Sequence, residues 1–233
     1  MKTLSVIIPV YKDLAALKRL IGIIRCWEEQ PDEILVAVSC AQGCECKCEE
    51  FCQQKSIKYI KLDDACRGTQ LQAGATEAKS DIYWFVHADA IPDSRSIFLI
   101  KKASESGAEG GCLRFEFSGI DTIKSKIFQK IIWLRSKMGI PYGDQGLFFN
   151  AQAYKKHGGF NPYPIFEEVQ LVRRVKKTGK FKYLDIPIGI DPRKWEKDGW
   201  FKRTIINRLL VFGLWLGFSP KSLAGIYYKI GKK

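Results

Sequence analysis

The feature that most constrains this chain is a set of short, almost wholly apolar runs that can be buried only inside a covered sheet. Leu4-Ser5-Val6-Ile7-Ile8-Pro9-Val10, Ile34-Leu35-Val36-Ala37-Val38 and Ile82-Tyr83-Trp84-Phe85-Val86 leave almost no polar face for water. Strands of that kind need packing on both sides, the condition of parallel sheets clothed by helices. The intervening sequence supplies the helices. Leu14, Leu17, Leu20, Ile21 and Ile24 recur at helical spacing, and the segment 69–79 places Leu71, Ala75 and Ala78 on one face. Residues 57–62 form a third, more alternating strand. Strands alternating with helices at this spacing predict βαβ units and an α/β domain with a mainly parallel sheet.

Beyond Pro92 the pattern loosens. It predicts a helix over 96–106, an alternating strand over 111–117, a basic helix carrying the stripe Ile123, Ile127, Ile131 and Leu134, a short strand within 146–150, a helix over 167–177 and a strand over 181–184. From Trp195 onward, aromatic, aliphatic and basic residues predict two helices separated by Ser219-Pro220. A length of 233 residues suits one large α/β domain with a small appendage, and 46% hydrophobic residues exclude disorder. The boundaries that follow are 1–194 for the domain and 195–233 for a basic helical extension.

The net charge of +13 is unevenly spread. Residues 1–120 hold 15 Lys+Arg against 17 Asp+Glu, whereas residues 121–233 hold 23 against 8. The second half is therefore expected to face something anionic. Its longest apolar run, 209–218, is far shorter than the ~20 residues a membrane-crossing helix needs. No signal peptide is legible at the N-terminus, so a cytoplasmic protein is expected. Basic residues beside Ile123, Ile127, Ile131, Trp200-Phe201 and 209–218 fit either an interfacial helix on an anionic inner membrane face or stripes packed on the sheet. A nucleic-acid partner is not expected, because no helix-turn-helix, zinc-finger or RNP-type motif accompanies the charge.

In open parallel sheets, ligands bind beyond the carboxyl ends of the strands. Here those ends read Tyr11-Lys12-Asp13 and His87-Ala88-Asp89. Asp89 suits a hard divalent cation that grips a diphosphate, or equally a cap on the turn before Pro92. His87 is a supporting residue beside it, and His157, before Gly158-Gly159, reads as a helix cap. The glycine fingerprints of dinucleotide folds and P-loops are absent, as is a G-x-S-x-G nucleophile elbow. Cys40, Cys44, Cys46, Cys48 and Cys52 crowd into 13 residues, while Cys26, Cys66 and Cys112 read as small core residues. The C-x3-C-x-C-x-C-x3-C spacing fits a thiolate site for Zn²⁺ or another soft metal, or a plain reduced loop.

Six blocks together resemble the family 2 glycosyltransferases. Ser5-Val6-Ile7-Ile8-Pro9-Val10-Tyr11 is similar to their opening strand, Arg67-Gly68-Thr69-Gln70-Leu71-Gln72-Ala73-Gly74-Ala75 to the segment before the metal strand, and Trp84-Phe85-Val86-His87-Ala88-Asp89 to the metal motif. Pro141-Tyr142-Gly143-Asp144-Gln145-Gly146, the stretch 166–174 and Arg193-Lys194-Trp195-Glu196 follow in the family's order. The set most resembles the short bacterial branch of radical-SAM/selenodomain-associated transferases.

The resemblance implies a GT-A-like, Rossmann-type domain that transfers a sugar from a nucleoside diphosphate sugar to an acceptor hydroxyl, with inversion and with Mg²⁺ or Mn²⁺ on Asp89. It implies donor contacts from Tyr11, Asp13, Arg67, Asp89, Arg193 and Lys194, and acceptor-side contacts from Asp144, Gln145 and Trp195. The general base falls within Glu167-Glu168, where the family has Glu-Asp; the longer Glu168 leaves either residue as the base. The acceptor is expected to be lipid-linked or otherwise anionic. One departure stands out: after the second strand the family's Asp-bearing loop is replaced by Ser39-Cys40-Ala41-Gln42-Gly43-Cys44. That departure motivates the alternative of a degenerate nucleotide- or metal-binding module with a cysteine-rich loop.

Overall fold

The computed structural model describes residues 2–39 and 47–230. The apolar runs form β1 (Leu4–Tyr11), β2 (Glu33–Ser39), β3 (Lys58–Leu62) and β4 (Ile82–Phe85), all parallel, with β1 between β2 and β4. Val6 lies opposite Ile34 on one side and Trp84 on the other, so three fully buried rows stack in register. Helices α1 (Leu14–Arg25), α2 (Cys48–Gln54) and α3 (Arg67–Glu77) make the connections. Leu17, Leu20, Ile21 and Ile24 of α1 pack on one face with Val6, Ile8 and Val36. Leu71 and Ala75 of α3 pack on the other with Ile7 and Leu35. Gly74 allows α3 to come this close, since a Cβ there would stand 2.4 Å from Cγ2 of Ile7.

The second half completes the sheet. It comprises β5 (Ile91–Pro92), α4 (Ser96–Glu105), β6 (Gly110–Phe117), α5 (Ile123–Met138), β7 (Phe148–Asn150), α6 (Ala151–Lys156), α7 (Val169–Lys177) and β8 (Phe181–Ile190). The strand order is β3-β2-β1-β4-β7-β6-β8-β5, with β7 antiparallel to β4 and β6, β8 parallel to β6, and β5 antiparallel to β8. The expected mixed α/β architecture is present. Three helices then follow: α8 (Arg193–Asp198), α9 (Trp200–Trp215) and α10 (Pro220–Ile230). Leu210 of α9 and Leu223 and Ala224 of α10 bury themselves together on Ile165.

Several sequence expectations need correction. The strand expected over 181–184 continues to Ile190, passing Pro187 through a register shift opposite Leu113 and Arg114. Such an irregularity is where a strand tolerates a residue without an N–H. The C-terminal region holds three helices instead of two, because Gly199 at φ +83° breaks the chain between α8 and α9. The helix expected over 167–177 starts at Val169, leaving Glu167 and Glu168 just ahead of it. Cys26 is not a core residue; it caps the end of α1 and is exposed. The stripe on α5 faces water: Ile123 is 80% exposed and Leu134 58%, while the helix buries Ser125, Phe128 and Ser136. Among the described residues no helix is long and apolar enough to cross a membrane.

Candidate active site

Beyond the carboxyl end of β4 lies a cavity of about 370 Å³. His87 and Asp89 enter it from the turn after β4, Tyr142, Gly143 and Asp144 from the turn after α5, and Glu168 from the residues ahead of α7. Asp191 comes from the end of β8, and α5, α9 and α10 close the remaining side. The last two belong to the C-terminal segment, which thus contributes walls to the cavity.

The glutamate pair is placed by an interlock between α3 and the loop before α7. The amide of Gly68 donates to the carbonyl of Tyr163 at 3.0 Å, and a Cβ on Gly68 would lie 2.1 Å from the carbonyl oxygen of Asn161. The Asn161 amide in turn donates to the Glu167 carbonyl at 3.1 Å. This contact sets Arg67, the first residue of α3, against Glu167: Nε donates to Oε1 at 2.6 Å and Nη2 to Oε2 at 3.1 Å. Glu167 is fully buried and both its oxygens are engaged. Phe166, immediately before it, has φ +61°, a conformation that costs a bulky side chain energy and is held by its surroundings.

Glu168 has a different environment. It is 2% exposed and lines the cavity, with Oε1 accepting from the Gly143 amide at 3.2 Å and Oε2 buried without a partner among the described residues. Burial, then the charge of Glu167, push its pKa up to about 8, against the opposing pull of Arg67 and the Gly143 amide. A carboxyl held this way takes a proton near neutral pH, the property a general base needs.

Two further groups share the cavity. Burial and then Arg67 hold the His87 imidazole below its ordinary pKa, although Asp89, Asp144 and Glu167 pull the other way. Its Nε2 is buried without a partner, and Gly143 leaves it room, since a Cβ there would stand 3.3 Å away. Asp144 is raised by burial, against Arg135, His87 and Arg67, and its Oδ1 is also unpartnered.

The expected site residues separate into two groups. Arg67, Asp89, Asp144, Glu168 and Trp195 line the cavity, and Glu167 backs it through Arg67. Trp195 stacks edge-on against Phe117 at 5.3 Å and also packs on Phe128 and Trp200. Tyr11, Asp13, Gln145 and Arg193 are not among the lining residues described. Tyr11 is exposed at the end of β1, and Asp13 accepts from the Ala16 amide as the cap of α1. Gln145 is buried and donates to Ser136 at 2.8 Å, while the guanidinium of Arg193 is held by Asp191 at 2.6 Å. Cys40, Cys44, Cys46 and the Lys194 side chain lie outside the described residues. Cys48 and Cys52 are buried on α2. His157 ends α6 as expected, with Nε2 3.1 Å from Glu109.

Residues that sequence reasoning missed include Gln70, Arg135, Arg203 and Arg208. Buried Gln70 donates from α3 to the carbonyls of Val10 and Ala37, both at 2.8 Å, tying the ends of β1 and β2 together. The arginines lie on α5 and α9, where their neighbours Leu134 and Leu209 belong to the apolar pattern that drew attention first. A basic residue breaking that pattern was the available signal.

A divalent cation is implied by the strand-end aspartate. Among the described residues no group of three or more His, Cys, Asp and Glu side chains stands ready to hold an ion. Asp89, facing the cavity, nevertheless fits a cation of the Mg²⁺ kind, which keeps one or two protein carboxylates and takes its other ligands from phosphate and water.

The family model described as "Glycosyl transferase family 2" matches residues 5–158. Among solved structures, S. aureus TarS 1-349 in complex with UDP aligns with a TM-score of 0.63 at 13% identity, covering 82% of this chain and 61% of that one. The same protein in complex with UDP-GlcNAc gives 0.61 at 12%, covering 78% and 56%. Glucosyl-3-phosphoglycerate synthase from Mycobacterium tuberculosis, in complex with Mn²⁺, UDP and glucosyl-3-phosphoglycerate, gives 0.60 at 14%, covering 90% and 79%. This chain thus spans less than two thirds of the TarS structures, and at these identities the likeness shows a shared GT-A fold. No curated protein matches the sequence.

Proposed function

Since the chain belongs to glycosyl transferase family 2, we propose that it moves a sugar from a nucleoside diphosphate sugar to an acceptor hydroxyl with inversion, using Glu168 as the base. The observation that carries this reading is the asymmetry of the glutamate pair. Glu167 spends both oxygens on Arg67, whereas Glu168, which lines the cavity, has a buried, unpartnered oxygen and a raised pKa. In the proposed step Glu168 takes the acceptor's proton as the acceptor oxygen bonds to the anomeric carbon. The bond from that carbon to the diphosphate breaks, and a nucleoside diphosphate leaves. Glu167 and Arg67 position Glu168 and keep one charge of the pair compensated.

Asp89 would hold Mg²⁺ or Mn²⁺, which supplies charge neutralisation for the leaving diphosphate when bound. The strand-end position of Asp89 and the Mn²⁺ in the synthase complex support this. UDP in both relatives makes a uridine nucleotide the first donor to try. Residues 1–194 would carry the transferase domain and 195–233 an extension whose Arg203, Arg208, Tyr227 and Tyr228 roof the cavity. Exposed Phe201, Leu209 and Trp215 on α9, with the outward stripe of α5 and the +15 of residues 121–233, support peripheral attachment to an anionic membrane surface. For the cysteine loop, bound Zn²⁺ or another soft metal remains a proposal resting on spacing alone.

A thermal-shift screen of UDP-, GDP-, dTDP- and CDP-sugars with Mn²⁺ tests the donor reading, because a ligand of the folded state stabilises it by mass action. One nucleotide class should raise the melting temperature in a metal-dependent way. No shift with any of them would remove the transferase assignment of this cavity.

A further inference from the structure

The cavity carries two guanidinium groups that the proposed reaction does not use. Of its four lining arginines, Arg67 is paired with Glu167, and Arg203 with Asp198 at 2.6 Å. Arg135 on α5 and Arg208 on α9 form no ion pair among the described residues. The Arg135 guanidinium stands 4.4 Å from the centroid of the Tyr142 ring, Nη2 donates to Ser136 Oγ at 3.5 Å, and Nε is buried without a partner. A guanidinium beside an aromatic ring that has donors left over can offer them to an anion. Tyr142 is followed by Gly143, whose amide donates to Glu168 at 3.2 Å, so Arg135 stands on the Glu168 side of the cavity, and Arg208 lines the same cavity from α9. Leu210 and Val211 add an apolar wall beside Arg208.

We propose that Arg135 and Arg208 form a phosphate subsite for the acceptor, so that the molecule receiving the sugar carries a phosphate group near the hydroxyl that Glu168 deprotonates. This rests on the transferase reading, in which Glu168 faces the acceptor. Two guanidinium groups approaching from separate helices suit a multi-oxygen anion, for which charge-assisted hydrogen bonds are strongest. The chemistry is shared by a soluble phosphate monoester and a lipid phosphate.

The test uses the full chain loaded with UDP and Mg²⁺, so that the donor site is filled, and titrates inorganic phosphate by calorimetry. Phosphate should bind, and Arg135→Gln and Arg208→Gln should each weaken it by about tenfold or more while leaving UDP affinity unchanged. Arg135→Lys, which keeps the charge, should lose less than Arg135→Gln, separating charge from folding. Flotation with phosphatidylcholine vesicles containing phosphatidic acid identifies the source: arginine-dependent vesicle binding indicates a lipid phosphate, and arginine-dependent binding of free phosphate alone a soluble acceptor. Absence of phosphate binding, retention of it in both glutamine variants, or a parallel loss of UDP affinity would each overturn the proposal. If the parent protein takes no UDP, the donor reading falls, and the same phosphate titration on unloaded protein still decides this one.

Discussion

The sharpest consequence of the buried glutamate pair is a pH dependence whose sign and size follow from the structure. Glu168 is raised from an ordinary 4.5 to about 8 by burial and by Glu167. At pH 6 only about 1% of it would be the carboxylate, and at pH 8 about half, so kcat/KM should rise about 50-fold across that interval. His87 does not imitate this rise, because its pKa is held below the usual imidazole value. Stability should move the opposite way. An unfolded chain releases this proton near 4.5, whereas the folded protein keeps it to about 8, so between those values the folded state binds more protons. Each pH unit in that window should cost the fold up to about 1.4 kcal/mol, and the loss should level off above pH 8. Glu168→Gln preserves an oxygen for the Gly143 amide and removes the charge. It should slow nucleotide release from the donor by about 10²–10⁴-fold yet melt at a higher temperature than the parent at pH 8.5. The assays are kcat/KM from pH 5.5 to 9 and melting curves of both proteins over the same range. A flat rate profile, or a variant as fast as its parent, would refute the assignment of Glu168.

Other outcomes bear on the remaining parts of the site. Asp89→Asn should remove the Mn²⁺-dependent part of the UDP-induced melting shift while leaving the ligand-free melting temperature unchanged. Gly68→Ala should destabilise the protein by about 1–3 kcal/mol in urea titration and lower activity, because its Cβ falls 2.1 Å from the Asn161 carbonyl of the loop that holds Glu167. Anaerobically purified protein should carry near-stoichiometric Zn, Cu or Fe by elemental analysis, lost on Cys44, Cys46 and Cys48→Ser; metal-free parent protein removes the thiolate site. Vesicles rich in phosphatidylglycerol should bind the protein and release it as salt rises, and Ile127→Glu with Leu209→Glu should abolish binding.

The parallel half of the sheet was legible because Val6, Val36 and Trp84 sit in strands whose burial leaves no alternative to a covered sheet. The second half was less so. Pro187 and the bulge beside it hide an extended strand, and β5 has only two residues, too few to leave a pattern. The α5 stripe left two arrangements open for a physical reason: helical periodicity reports an apolar face, not which face packs. Phe128, off the stripe, packs with Phe117 and Trp200, while Ile123 and Ile127 stay in water. Tyr11, exposed at the end of β1, and Asp13, which caps α1, lie outside the lining of the cavity.

The part of the site that sequence spacing could not reach is the division of labour within Glu167-Glu168. Adjacent residues of one type have no distinguishing pattern; only the third dimension separates them. Arg67 comes from 100 residues away and takes one carboxylate, so the other is left with the cavity. Burying both glutamates opposes folding, as do the positive φ of Phe166 and the orphaned polar atoms of His87, Asp144 and Glu168. These departures from good local structure gather within one cavity, while the α7 face that follows, Leu171, Val172 and Val175, is conventionally packed. A strained residue and unpartnered polar atoms held at the walls of a cavity by a regular core are what selection for chemistry at some cost in stability would leave behind.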